Sequence, residues 1–406
     1  NYEEKGNDYP LGFVRWTEQR NFEAVLELIA SGALDVKTLI SHRYSIDQAE
    51  RAYELISDKK SSLGIILTYP GLEITRQSKN ISLLKRISSK KDIKNDINKK
   101  VNVSFIGSGN YASSVLIPAF KTTGVNLISV ASKMGVSGTH IGRKYGFHES
   151  TTDIDNLLNN DKTEAVVIST NHNSHSEFVI KSLKAKKNVF VEKPLCLTLE
   201  ELDKIKATYA SSNILMIGFN RRFAPQIKKI KSLLSDINEP KSFIMTVNAG
   251  DVPKDHWTQD PHIGGGRIIG EACHFIDLLR FLAGEIIVKS QIQFMINSKK
   301  DTASIQLTFH DGSIGSIHYF ANGSTSLPKE KLEVYAKGGV LQLDNYRKLI
   351  GYGWPGFKKM NLWQQDKGQK ACIKAFVEAI SEDNSSPISI EEVFEVSEIS
   401  IKLANQ

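Results

Sequence analysis

Gly107-Ser108-Gly109-Asn110-Tyr111-Ala112 is the first segment whose residue types could do chemistry, since it follows an apolar run at Val101–Ile106. The first glycine permits a tight turn, the second lets backbone approach a pyrophosphate, and the small sixth residue lets a helix pack on the strand. Phosphates would then sit on the helix N-terminus. A glycine turn that holds nothing is the plainer alternative. About twenty residues further on, where a carboxylate would accept the ribose 2′-hydroxyl of NAD, the chain has Ser132-Lys133. A hydroxyl and an ammonium suit a 2′-phosphate instead, so the expected cofactor is NADP, or NADP and NAD in dual use. A solvent-facing turn would read the same way.

Three further segments could carry chemistry. Val189-Phe190-Val191-Glu192-Lys193-Pro194 places a lysine at the carboxyl end of a buried strand, where doubly wound sheets hold ligands. Such a lysine can hydrogen-bond a substrate hydroxyl, and partial burial beside a cation would lower its pKa. A surface Lys-Pro turn is the alternative. Gly264-Gly265-Gly266-Arg267 leads into Gly270-Glu271-Ala272-Cys273-His274, and Asp277 follows one helical turn later. Residues three apart on a helix are neighbours, so Asp277 rather than Glu271 is expected to orient the imidazole and raise its pKa. A satisfied core histidine is the alternative. His172 and His175 are also three apart, but no third ligand lies near, and no metal is expected. Neither a G-x-S-x-G elbow nor a P-loop occurs, which argues against serine hydrolase and NTPase chemistry.

The elements around these residues predict an α/β chain. Apolar runs at Val101–Ile106, Leu127–Ala131, Ala165–Ser169, Val189–Val191 and Ile214–Ile217 alternate with helical segments, as in a buried parallel sheet. Capping boxes are expected at Ser174/Glu177 and Thr198/Glu201. Beyond Phe219 longer alternating strands predict a mostly antiparallel α+β domain, with hairpin turns at Asp311-Gly312 and Gly338-Gly339. Residues 1–70 read as a compact α/β piece. It has a helix over Asn21–Ala30, a strand over Val36–Tyr44, a helix capped by Ser45 and Gln48, and a strand over Leu63–Leu67. Residues 71–100 read as a basic connector, 101–219 as a Rossmann domain, and 220–406 as a substrate and oligomerisation domain.

The 406 residues are enough for two or three domains, and 40% hydrophobic with 24% charged residues is the balance of a soluble globular protein. The formal charge of +7 is concentrated between Arg76 and Lys100, a stretch with nine Lys or Arg and two Asp. It lacks interleaved aromatics, so a solvated connector is expected and no nucleic acid. No run of about 18 apolar residues predicts membrane insertion. Asn1–Lys5 has no features of a secretory signal, and Cys196, Cys273 and Cys372 have neither metal-knuckle nor disulfide spacing, so a cytoplasmic location is expected.

In this order, the glycine turn, Glu192-Lys193-Pro194 and the glycine-rich segment with His274 resemble the Gfo/Idh/MocA family of sugar and cyclitol oxidoreductases. Thr170-Asn171-His172-Asn173-Ser174-His175 and Gly218-Phe219-Asn220-Arg221-Arg222-Phe223 extend the likeness. The resemblance implies a Rossmann domain followed by an open-faced sheet, which commonly forms oligomer contacts, here a homo-oligomer, dimer or tetramer. It implies catalysis by Lys193 and His274, to which helical spacing adds Asp277 as support, and substrate contacts from Lys193, Trp257, Arg267 and His274. Cofactor contacts are implied for Gly107, Gly109, Asn110, Tyr111, Ala112, Ser132, Lys133, Thr170, Asn171, His175, Glu192, Lys193 and Arg222. The expected reaction moves hydride between NAD(P) and a secondary hydroxyl of a sugar, sugar nucleotide or cyclitol. A weakened dinucleotide-binding scaffold subunit and a cofactor-recycling, glycosidase-like enzyme are the alternatives. Many members carry an aspartate where this chain has Gly270, which would leave His274 without its usual carboxylate. Residues 1–70 resemble the C-terminal end of a medium-chain alcohol dehydrogenase, and the whole resembles fusions of the two families found in surface-polysaccharide pathways.

Overall fold

A computed structural model describes residues 9–10, 12–57, 62–69, 79–83, 100–296 and 299–406. The chain divides into two units, residues 1–77 and 78–406. Most of the basic connector lies outside the described residues.

The first unit holds helix α1 (Glu18–Ala30), strand β1 (Ile40–Ser45), helix α2 (Ala49–Ser57) and strand β2 (Gly64–Thr68), with β1 and β2 paired in parallel. Thr17 caps α1 by accepting the N–H of Arg20 at 3.4 Å. Two expectations change here. The strand starts at Ile40, because the Asp35 carboxylate accepts the Lys37 N–H at 2.9 Å and folds 37–39 into a 3₁₀ turn. The Ser45 side chain makes no cap bond; a second 3₁₀ turn over Ile46–Gln48 precedes α2. The apolar face expected on α1 is exposed: Phe22, Val25, Leu26 and Ile29 are open to solvent, and α1 contributes no buried residue.

In the second unit a seven-stranded sheet runs in the order β3 (Asn80–Ser82), β6 (Glu149–Thr151), β5 (Asn126–Ala131), β4 (Asn102–Ile106), β7 (Ala165–Ile168), β8 (Asn188–Val191), β9 (Leu215–Ile217). All neighbours are parallel except β3, which pairs antiparallel with β6 and so draws part of the expected connector into the sheet. Strands β4, β5, β7, β8 and β9 are largely apolar and buried because helices α3 (Ile117–Thr122), α4 (Val136–Tyr145), α5 (Ile154–Leu158), α6 (His175–Lys184) and α7 (Leu199–Thr208) connect the sheet. Strand order reverses at β4, with β5 on one side and β7 on the other, and a crevice opens there at the carboxyl ends.

Helix α8 (Pro225–Leu234) leads to a second sheet, ordered β11 (Ile287–Phe294), β12 (Ala303–Phe309), β13 (Ile314–Phe320), β10 (Ser242–Asn248), β14 (Glu330–Ala336), β15 (Gly339–Asp344), β16 (Lys348–Tyr352), β17 (Lys359–Asn361). Only the β10–β13 pair is parallel. Inward residues alternate with outward ones, and helices α9 (Cys273–Ala283), α10 (Gln369–Ser381) and α11 (Ile390–Ala404) complete the unit. Asp311-Gly312 and Gly338-Gly339 stand at hairpins, with Lys337 and Gly338 both at positive φ. The Thr198/Glu201 capping box forms, whereas the Ser174 hydroxyl turns to Asn171 and Thr170.

Candidate active site

Gly107, at φ 105°, makes the turn after β4; a Cβ there would stand 2.7 Å from the Ser169 carbonyl oxygen. Gly109 has nothing within 4 Å of its missing Cβ, so the turn is open above it. Helix begins at Asn110, and buried Ala112 lets it lie close to the sheet. The next turn is wide, of π type over Ala112–Leu116, which accommodates Pro118 where an ordinary ladder would need an N–H. This glycine turn forms one end of a cleft of about 670 Å³.

Thr170-Asn171 follow β7 in the cleft lining, and His175 at the start of α6 is buried with Nδ1 2.6 Å from the Pro194 carbonyl and Nε2 3.1 Å from that of Thr170. Burial depresses its pKa despite both carbonyls; the neutral ring has one N–H, which the shorter distance assigns to Nδ1 and the Pro194 carbonyl, in the cis Lys193-Pro194 turn. Lys193 Nζ donates to the Gly270 carbonyl at 2.6 Å. That carbonyl belongs to a second wide turn, Ile268–Ala272, just ahead of α9. Beside Lys193, burial raises the Glu192 carboxyl to about 7 against the pull of Lys193 and Arg221.

His274 stands in the first turn of α9, 5% exposed, with its ring edge toward Phe219 at 6.0 Å between centroids. Its Nδ1 is buried and has no hydrogen-bond partner. Burial first, then the charges of Arg221, Lys193, Lys329 and Lys367, hold its pKa well below the ordinary histidine value. The imidazole is therefore neutral.

Asp277 does not orient it. The Asp277 carboxylate takes two bonds from the guanidinium of Arg222, which also reaches Glu392 at 2.8 Å. Arg222 stands in the 3₁₀ turn Asn220–Phe223, and neither it nor Asp277 lines the cleft, so helical spacing was outweighed by a stronger buried partner. The same pair removes Arg222 from the cofactor contacts; its neighbour Arg221 lines the cleft instead. Arg267 is also displaced from the substrate contacts. It is buried, donating from Nε to the Tyr319 hydroxyl at 2.7 Å and from Nη2 to Glu271 at 2.9 Å.

Glu271 does line the cleft, and Lys329 at 2.5 Å, the Tyr319 hydroxyl and Arg267 all donate to it. Against burial, which alone would raise it, these donors lower the carboxyl to about 2. Gly270 has a steric counterpart: a Cβ there would stand 3.1 Å from Cε1 of His172. That ring is held by its Nδ1 bond to the Gly264 carbonyl at 2.7 Å and by an edge contact with Trp257 at 4.8 Å. Burial and Lys193 lower its pKa to about 3. His172 thus fills the space toward which an aspartate at 270 would project.

The cleft brings together Gly107, Gly109, Asn110, Tyr111, Ala112, Thr170, Asn171, His175, Glu192, Lys193, Trp257 and His274 of the expected residues. Ser132 and Lys133 lie outside this lining, at the end of β5. There the Ser132 hydroxyl accepts the Gly138 N–H at 3.0 Å and Lys133 is exposed. Sequence reasoning missed Ser169, Asn220, Arg221, Lys367 and Gln369, and read His172 only as a metal-ligand candidate. Arg221 stands in the Gly218–Phe223 segment beside Arg222, whereas Lys367 and Gln369 carry no local signal. Among the described residues no group of three potential metal ligands occurs, and no helix is long and apolar enough to cross a membrane.

A glycine turn at the switch point of a parallel sheet, facing a lysine and a histidine from two successive domains, defines a dinucleotide-binding oxidoreductase architecture. Two family models match in succession: the NAD-binding Rossmann fold of the GFO_IDH_MocA oxidoreductase family over 101–219, and that family's C-terminal alpha/beta domain over 231–401. The chain belongs to the Gfo/Idh/MocA oxidoreductase family. Myo-inositol 2-dehydrogenase of Thermotoga maritima is 29% identical over 214 residues, which span 50% of this chain and 64% of that enzyme. Oxidoreductase P35 of Formosa agariphila is 27% identical over 316 residues, 74% of this chain and 97% of that one. A solved levoglucosan dehydrogenase, in complex with NADH and levoglucosan, superposes with a TM-score of 0.68 at 21% identity, over 76% of this chain and 97% of its own.

Proposed function

We propose that this chain catalyses NAD(P)-dependent hydride transfer at a secondary hydroxyl of a sugar, sugar nucleotide or cyclitol. The observation that carries the reading is the shared cleft: Lys193 and a neutral His274 with an unpartnered Nδ1 line the same cavity as the Gly107–Ala112 turn. The dinucleotide fits this chain's residues, because the open space above Gly109 and the helix start at Asn110 form a cradle that a Cβ would fill. Thr170, Asn171 and Glu192 would border it. When bound, the nicotinamide supplies the redox step, taking a hydride from the carbinol carbon or returning it.

The protein's part is the proton and the oxygen. His274 accepts the hydroxyl proton as the C–H hydride departs and the carbonyl forms; in the reverse direction it returns that proton. Lys193, held by the Gly270 carbonyl, donates a hydrogen bond to the same oxygen and stabilises negative charge there. His175 acts through the Pro194 carbonyl to fix that lysine, and His172 with Trp257 walls the opposite side. Trp257 therefore stands as a substrate contact.

Dinucleotide reduction at 340 nm with myo-inositol, levoglucosan, glucose and glucuronate, with NAD and NADP in turn, tests the reading. Turnover with at least one is expected; dinucleotide binding without turnover on any would favour the scaffold-subunit alternative, which Gly270 supports. Residues 1–70 stand as an alcohol-dehydrogenase-like segment, and the chain as a cytoplasmic homo-oligomer acting in polysaccharide formation. The sequence resemblance supports all but the location, which rests on the spacing of the three cysteines, and the parallel β1–α2–β2 order adds support for the first segment.

A further inference from the structure

In and directly behind the cleft wall, Lys193, Arg221, Lys367, Arg267 and Lys329 stand with only Glu192, Glu330 and Glu271 as carboxylate partners. Arg221 donates from Nε and Nη2 to both oxygens of buried Glu330, and Lys367 Nζ donates to Oε1 of the same carboxylate at 2.7 Å. Two cations thus share one anion, and because Arg221 Nη2 and Lys367 Nζ meet at one oxygen they stand side by side. Nη1 of Arg221 has no hydrogen bond among the described residues, and Lys367 uses one of its three donors on Glu330. Both side chains line the cleft together with His274 and Gln369, and both are little exposed. The second cluster has the same imbalance, with Lys329 and Arg267 on Glu271. Lys193 and Glu192 balance only while Glu192 is ionised, and burial holds that carboxyl at about 7. Buried uncompensated charge is costly, and an anionic ligand group removes the cost.

We infer that the substrate carries a carboxylate, as a hexuronic acid or its glycoside does, and that Arg221 Nη1 and Lys367 Nζ receive it beside His274, with the Gln369 amide at the rim. This rests on the reading of the cleft as a sugar oxidoreductase site. A carboxylate is planar and accepts from two adjacent donors, which suits one guanidinium nitrogen and one ammonium. It would also offset two of the charges that hold His274 neutral, and so strengthen the imidazole as a proton acceptor.

Isothermal titration, with and without NADH, compares glucuronate, galacturonate and mannuronate with glucose and glucose 6-phosphate on the parent and on Lys367→Gln. At least one hexuronate is expected to bind the parent tenfold or more tighter than glucose. Lys367→Gln should shrink that preference to within about threefold, with NADH affinity changed less than threefold and the melting temperature retained. Equal binding of glucose, tighter binding of glucose 6-phosphate, or no hexuronate binding would overturn the inference. So would a parallel loss of NADH and hexuronate in the variant, which would assign these cations to the cofactor phosphates. Failure of the parent to bind NADH would instead strike at the oxidoreductase reading, and the titration without NADH still decides the carboxylate.

Discussion

At the scale of the residue, the site depends on burial, reinforced by neighbouring cations, to keep a histidine neutral. A base is effective in its deprotonated form, so a depressed pKa places the rising limb of kcat/KM for oxidation below the ordinary histidine range, with activity retained as pH falls through 6.5. Lys329 is one of the cations responsible and lies outside the cleft lining. In Lys329→Met the limb should move to higher pH, by half a unit or more, when the two pH profiles are compared; an unmoved limb would mean that His274 does not titrate in catalysis. Cofactor choice is also a residue-scale question. Ser132 is occupied with Gly138, but Lys133 is exposed and no carboxylate stands beside it on β5. NADPH should bind at least as tightly as NADH, and Lys133→Glu should turn the preference toward NADH. Tenfold tighter NADH binding by the parent, about 1.4 kcal/mol, would contradict this. Lys193 and His274 were legible in the sequence because a strand end and a glycine-rich run flag them. Asp277 misled because spacing along a helix says nothing about Arg222, which arrives from another element. Lys367 was invisible, since its place depends on the ion pair with Glu330, 37 residues away.

At the scale of the element, the β4 turn and the two wide helical turns do most of the positioning. The Rossmann strands were legible because each is a continuous apolar run. Strands Glu149–Thr151 and Asn80–Ser82 were not, being three residues long and polar, and held by pairing rather than by pattern. The expected Ser174/Glu177 box was a correct pattern outweighed by a local alternative, because Asn171 and Thr170 compete for that hydroxyl. The open space at Gly109 gives this scale its test. A valine there would fill the cradle without a clash in the free protein, so Gly109→Val should lower NADPH affinity by tenfold or more in a fluorescence titration and leave melting close to that of the parent. Unchanged affinity would remove the glycine turn from the cofactor site.

At the scale of the whole molecule, the second unit places two domains' residues around one cleft, with Lys193 from the parallel sheet and His274 from the helix that opens beside the antiparallel one. The order of these elements along the chain was readable in advance, because the shift from continuous to alternating apolar strands marks the domain change at Phe219. The apolar face of α1 in the first unit is exposed, since periodicity reports which side of a helix is apolar and not whether anything covers it. The central claim is that Lys193 and His274 serve the chemistry rather than the fold. Initial rates of dinucleotide reduction, measured for the parent, Lys193→Met and His274→Ala on the best substrate, test it most directly alongside their melting curves and NADH affinities. The account predicts turnover lower by roughly 10²-fold or more in each variant, with melting and NADH binding near those of the parent. Near-parental turnover, or a loss of rate that follows a loss of folded protein, would contradict it.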